Sequence, residues 1–190
     1  NSYGLYTSIP NNVSIHHNSV RGGSYGCYLT GAASNLDVRN NIFVSNNNYA
    51  LYIGATFTNF TLDYNIYHTG GTNIAYQGGA QSTLTAWKTA QPTLNVNSLQ
   101  GDPGYLSNTD FHIIGTLPND AGLNGLSSID VDGDSRPASG STTVDIGADE
   151  FTPLNWDASL DAVLVRLAGC GDSITTVEAV VTNYGLNTIT

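Results

Sequence analysis

The residues that could do chemistry recur at regular intervals. His16, Arg39 and Asp63 occupy one place in successive stretches of the chain, and Ser14, Asp37 and Thr61 occupy the place beside it. If each stretch is extended and lies on the next, side chains in one column stand about 4.8 Å apart. A stacked His, Arg and Asp would then offer a base, a cation and an acid on one outward strip. So few charges fit a solvated, ion-paired face better than a reaction centre, and no residue is assigned a catalytic role. Asp130, Asp132 and Asp134 alternate around Gly133, a spacing that suits calcium, whose hard oxygen ligands often fall at i, i+2 and i+4. The rival and favoured use of this segment is electrostatic, with Arg136 pairing Asp145 or Glu150. Nothing else in the sequence asks for a cofactor.

Tyrosines form two further columns, Tyr3, Tyr25 and Tyr49, and Tyr6, Tyr28 and Tyr52. They suit either a stacked structural ladder with hydroxyls at the solvent edge or a platform on which a sugar ring packs. His16-His17, His68 and His112 belong to no ligand or triad spacing, and no phosphate loop or hydrolase signature is present.

The elements that must position these residues follow from the repeat. Ser2-Tyr3-Gly4-Leu5-Tyr6 returns as Ser24-Tyr25-Gly26-Cys27-Tyr28, as Asn48-Tyr49-Ala50-Leu51-Tyr52 and, weakly, as Asn73-Ile74-Ala75-Tyr76. In phase with it, Val13-Ser14-Ile15-His16-His17-Asn18 matches Leu36-Asp37-Val38-Arg39-Asn40-Asn41 and Phe60-Thr61-Leu62-Asp63-Tyr64-Asn65. Each period holds short alternating segments, the pattern of strands, and no segment has the length or caps of a helix. Such a period suits one coil of an all-β parallel β-helix. Val13, Leu36 and Phe60 then stack inward, as do Ile15, Val38 and Leu62. Asn18, Asn41 and Asn65 fall at one turn, where asparagine can take a left-handed conformation and bond its amide to the next coil.

Composition bounds the rest. Charged residues are 11% of the 190, with one Lys, four Arg and a net charge of −10. Nucleic acid is a poor partner for so few cations, and no apolar run approaches the roughly 20 residues of a membrane span. A chain rich in uncharged polar residues is typical of extracellular β-structure. The chain holds no Met and opens inside a patterned segment, so it reads as part of a longer protein. Cys27 shares a repeat column with Leu5 and Leu51 and reads as a buried apolar group not paired with Cys170.

The later motifs carry a resemblance. Leu84-Thr85-Ala86-Trp87, Asp102-Pro103-Gly104-Tyr105, Asp110-Phe111-His112-Ile113, Asp130-Val131-Asp132-Gly133-Asp134-Ser135-Arg136-Pro137 and Asp145-Ile146-Gly147-Ala148-Asp149-Glu150-Phe151 follow in that order. This order resembles the closing coils of bacterial right-handed parallel β-helix repeat surface proteins. It implies a β-helix over residues 1–152 whose segment Asp130 to Phe151 closes the C-terminal end, with Ile146 and Phe151 as the plug. A linker at 153–158 follows. Residues 159–190 resemble the start of an adhesion-type immunoglobulin-like β-sandwich, incomplete because such domains need about seven strands.

The resemblance implies a large exported adhesin-like protein, often of bacteria with a type 9 secretion route. Its β-helix would be a non-catalytic stalk or glycan-facing platform, meeting an extracellular glycan or protein, or the export machinery as cargo. Asp172-Ser173-Ile174 is similar to the O-glycosylation acceptor of such bacteria. The alternative is the C-terminal part of a carbohydrate-active β-helix enzyme, a polysaccharide lyase or glycoside hydrolase, with its catalytic coils upstream.

Overall fold

The computed structural model describes residues 2–8, 11–31, 34–54, 56–153, 158–166, 176–185 and 187–188. Two compact units divide the chain, 1–152 and 153–190.

In the first unit the repeat becomes coils of three strands each. The first coil is β1 (Tyr3–Ser8), β2 (Val13–His16) and β3 (Ser19–Gly22). The second is β4 (Tyr25–Thr30), β5 (Ser34–Arg39) and β6 (Ile42–Ser45). The third is β7 (Tyr49–Ile53), β8 (Thr58–Asp63) and β9 (Ile66–Thr69). A fourth starts with β10 (Ala75–Gln77) and the short antiparallel β11 (Ala80–Gln81), then admits the helix α1 (Leu84–Ala90) before β12 (Leu99–Gln100). Like strands pair in parallel across coils, giving sheets β1-β4-β7-β10-β11, β2-β5-β8 and β3-β6-β9-β12. Turn residues bonded between coils lie 23 or 24 apart in the early coils, and 33 apart where α1 is inserted.

The inward columns make the core. Leu36 and Val38 of β5 pair with Val13 and Ile15 and with Phe60 and Leu62. Leu29, Phe43, Leu51 and Tyr67 are fully buried with them, and burying each such side chain contributes roughly 1.5–3 kcal/mol. Cys27 is a free thiol in this core, and burial pushes its pKa up. Cys170 lies outside the described residues.

Close approach explains why Tyr25 and Tyr28, three apart, both face outward. Between them Gly26 passes so near the neighbouring coil that an added Cβ would stand 2.6 Å from the Ala50 carbonyl and 2.9 Å from that of Val44. Gly26 and Cys27 are both buried, so the strand bends and its alternation skips a step.

The helix corrects the expectation that no segment is helical. Thr83 caps α1 by accepting a hydrogen bond from Ala86 N at 3.1 Å, an ordinary N-cap. Leu84 and Trp87, one turn apart, enter the core, with Trp87 5.3 Å from the Tyr67 ring. Seven residues are too few to show a helical period in an alternating sequence. Among the described residues no helix is long and apolar enough to cross a membrane.

The segment Asp130 to Phe151 is also corrected: it lies on the flank of the coils rather than over their end. Ile146 packs with Ile42, Val44 and Ile66, the outward residues of β6 and β9, together with Tyr105 and Ile113. Gly147 N donates to Asn40 O at 3.0 Å and Ala148 N to Ser19 Oγ at 3.0 Å, which reaches back to the first two coils. Phe151 packs against this flank cluster, not the coil interior. The physical cause is β6, whose residues Ile42, Phe43, Val44 and Ser45 are all buried. A strand apolar on both faces needs a cover on its outer face. Trp87 and Leu84 of α1 join the interior cluster.

In the second unit β13 (Ala158–Arg166) and β14 (Thr176–Asn183) form an antiparallel pair, irregular between Leu160 and Ala162. Leu160, Val163, Val180 and Val181 are exposed on it, and Gly185 N donates to Asn183 Oδ1 in the turn after β14. Most of the expected linker and Asp172-Ser173-Ile174 lie outside the described residues.

Candidate functional site

The turn after β2, β5 and β8 holds Asn18, Asn41 and Asn65. Asn18 Nδ2 donates to Asn41 Oδ1 at 2.9 Å, and Asn41 Nδ2 to Asn65 Oδ1 at 3.0 Å. Each acceptor oxygen also takes the backbone N–H of the preceding asparagine, and Asn65 N continues the ladder to Ser98 Oγ at 3.0 Å. The left-handed conformation sits one residue earlier than expected, at His17, Asn40 and Tyr64. The ladder residues must aim their amides along the axis into the core, so the preceding residue makes the reversal. A second row, Asn12, Asn35 and Asn59, also has positive φ. Its amides bond in sequence at 2.7 and 2.9 Å on the exposed side. Its signal was legible: asparagine just before the first inward residue of each alternating segment, Val13, Leu36 and Phe60.

The strip of His16, Arg39 and Asp63 is brought together only in part. Arg39 bonds Asp37 through both Nε, at 2.6 Å, and Nη2. His16 Nε2 approaches Asp37 Oδ2 at 3.0 Å but off the hydrogen-bonding direction. Burial opposes ionisation of Asp37, yet the Arg39 guanidinium and His16 together hold its carboxyl below the usual range. Asp63 turns away to bind Asn97, taking its N at 2.6 Å and its Nδ2 at 2.8 Å. Of the three column residues, Arg39 is thus paired with Asp37 of the neighbouring column and Asp63 anchors a loop, so the three do not face one another as a base, a cation and an acid.

Asp130, Asp132 and Asp134 do not converge on one point. Asp130 Oδ1 accepts from the N–H groups of Asp132 and Asp134, at 2.9 and 2.8 Å, and Oδ2 from Glu150 N at 3.0 Å. The Asp130 carboxylate, engaged by three backbone donors, closes its own turn. Asp132 instead meets His112 Nε2 at 2.9 Å. Asp110 and then Asp132 raise the His112 pKa to about 9.

Arg136 pairs with Glu150, Nη1 to Oε2 at 2.9 Å, both side chains buried. It also donates to the carbonyls of Asp145 and Gly147. The Asp145 carboxylate takes no part in that pairing; it accepts from Asp120 N and Phe151 N at 2.6 and 2.9 Å.

The tyrosines stack as columns. Tyr6, Tyr28, Tyr52 and Tyr76 run face to face, with centroids 4.4 Å apart for Tyr28–Tyr52 and 4.6 Å for Tyr52–Tyr76, at interplanar angles of 9°. Tyr3, Tyr25 and Tyr49 stack beside them and meet them edge-on. Ring faces inside a column are covered by their neighbours, so the sheet presents ring edges. Tyr76, the weakest of the sequence matches, ends its column and lines an open cleft of about 390 Å³. Phe57, Phe60, Gln77 and Gln91 line it too, and among the described residues no charged side chain does. Gln77 Oε1 is fixed by Trp87 Nε1 at 2.7 Å.

Stacked three-strand coils joined by asparagine ladders define a parallel β-helix. The chain belongs to the right-handed β-helix family: the model described as "Right handed beta helix region" matches residues 1–103. No curated protein and no solved structure matches the chain.

Proposed function

We propose that this β-helix is a non-catalytic, glycan-facing segment of an extracellular or cell-surface protein, and that it takes uncharged sugar units in the cleft at the end of the tyrosine column. The cleft carries the reading: it joins Phe57, Phe60 and Tyr76 to the amides of Gln77 and Gln91 without a charge. An aromatic wall packs on the apolar face of a pyranose, and amides answer its hydroxyls. The net charge of −10 disfavours acidic polysaccharides. The closed Asp37–Arg39 pair supports a binding role over a catalytic one.

The test is calorimetric titration of the chain with neutral oligosaccharides of glucose, xylose and mannose, in α- and β-linked series. Saturable binding lost in Tyr76→Ala and Phe57→Ala, and kept in Tyr28→Phe, is expected. The reading fails if none binds at millimolar concentration, if binding ignores both alanine variants, or if the glycan is cleaved.

A further inference from the structure

We infer that a sugar ring takes the place of a fifth tyrosine on the column of Tyr6, Tyr28, Tyr52 and Tyr76, flat against the outer face of Tyr76. The cleft then selects β-linked pyranose chains with equatorial hydroxyls, of the glucose and xylose type. This rests on the glycan reading and adds to it the class of sugar.

The first argument is an interrupted column. Tyr28, Tyr52 and Tyr76 follow one another at 4.4 and 4.6 Å, close to the spacing of neighbouring strands. The next strand, β11, carries Ala80 in register with Tyr76. Paired residues on adjacent strands project to the same face, so Ala80 stands where a further ring would stack and supplies only a methyl group. Tyr76 meets the rings of Tyr49 and Tyr52 and no other aromatic ring among the described residues. The turn between β10 and β11 is equally bare. Gly78, with φ of 64°, and Gly79 each have open space where a Cβ would stand. The ring face turned away from Tyr52 therefore has room for one flat ring.

The second argument is the fixed amide of Gln77. Its Oε1 accepts from Trp87 Nε1 at 2.7 Å. An indole can only donate, so the amide cannot be turned about, and Nε2 with its two hydrogens is left for the cleft. A fixed donor asks for an acceptor, which a hydroxyl or ring oxygen of a neutral sugar supplies.

The third is the second aromatic wall. Phe57 and Phe60 pack on each other at 5.4 Å and line the same cleft as Tyr76. A glycan chain in the cleft sets one unit on Tyr76 and the next against the phenylalanines. In a β-linked ribbon successive units are turned over, so they present opposite faces to one lining, and both faces must be apolar. Glucose and xylose meet this because their hydroxyls are equatorial and both ring faces carry C–H groups. The axial hydroxyl of mannose lies on one face, and burying it there without a partner costs free energy.

The test is calorimetric titration of the whole chain with cellotetraose and xylotetraose, set against mannotetraose and the α-linked maltotetraose. The first two should bind about 10-fold tighter or more, as expected for one added ring contact. Ala80→Tyr, which completes the column, should weaken them by a similar factor without lowering the melting temperature, and Ala80→Ser should bind as the unaltered chain does. Saturation-transfer NMR on the unaltered chain should place the strongest signals on axial ring C–H protons, and this decides the matter if Ala80→Tyr does not fold. If Ala80→Tyr folds and binds normally while Tyr76→Ala and Phe57→Ala do not bind, the sugar lies elsewhere in the cleft; this inference falls and the glycan reading stands. Equal binding of mannotetraose or maltotetraose likewise overturns the selection alone. If none of the four binds, both fall.

Discussion

Asn40 donates its side-chain amide to His17 Nε2 at 3.0 Å, across successive coils. The orientation of that amide is set elsewhere, because Asn40 Nδ2 also donates to Leu123 O at 2.8 Å and Oδ1 accepts from Leu123 N at 2.9 Å. The Asn40 nitrogen must therefore face His17, and Nε2 must be a lone pair. Nδ1 is then the protonated nitrogen and donates to Gly147 O at 3.3 Å. The turn of the first coil, the turn of the second and the flanking segment thus meet on one neutral imidazole.

A proton on His17 Nε2 would set two donors face to face. Burial, and after it the charge of Arg136, lower the His17 pKa from 6.5 to about 4. The unfolded chain accepts this proton near pH 6.5 and the folded chain only near 4, so in that window the unfolded state binds more protons and stability falls as pH falls. Above pH 6.5 the contribution is fully present. Melting temperature measured from pH 7.5 to 4 should drop through this window, and His17→Asn, which tolerates the left-handed turn, should lose that part of the drop. An equal slope in the variant would show that His17 is not its source.

The inner asparagine ladder should matter far more than the outer one. Asn41 is fully buried and bonds Asn18, Asn65, Ile15 O and Arg39 O. Asn41→Ala strands several buried polar groups and should cost on the order of 3 kcal/mol or more in denaturant unfolding. Asn35→Gly removes exposed bonds at a position with φ of 59°, where glycine relieves the backbone, and should stay within about 0.5 kcal/mol.

Arg136→Ala should leave Glu150 charged and unpaired in a buried place, a loss of about 3–5 kcal/mol. Glu150→Gln should be damaging for the mirror reason, and the two together less damaging than the sum of the singles. Because this pair holds the strip over β6, hydrogen exchange at Ile42 to Ser45 should accelerate in Arg136→Ala. Unchanged protection there would separate the pair from the cover.

Gly26→Ala should destabilise the coil by about 1–3 kcal/mol, since the new methyl meets backbone that cannot move aside. The same sheet position carries alanine one coil later, at Ala50, so the outcome tests local approach rather than helix or strand propensity. A neutral result would mean that the coils shift readily against each other.

The repeating part of the fold was legible because a β-helix writes itself into the chain as a column of like residues at each coil. The in-phase Val13, Leu36 and Phe60, the turn asparagines and the tyrosines each declared the register that the strands adopt. Residues that serve a single place left no column to read. The sequence shows Ile42-Phe43-Val44 as an unbroken apolar run, a sign of a strand buried on both faces, but not what covers it. Only tertiary packing brought Ile146 to it, Gly147 to Asn40, and His112 to Asp132 and Asp149. These contacts join residues far apart in the chain, and no local period encodes them. Repetition along one axis settles the coils, whereas the sites depend on how the non-repeating segments fold back upon them.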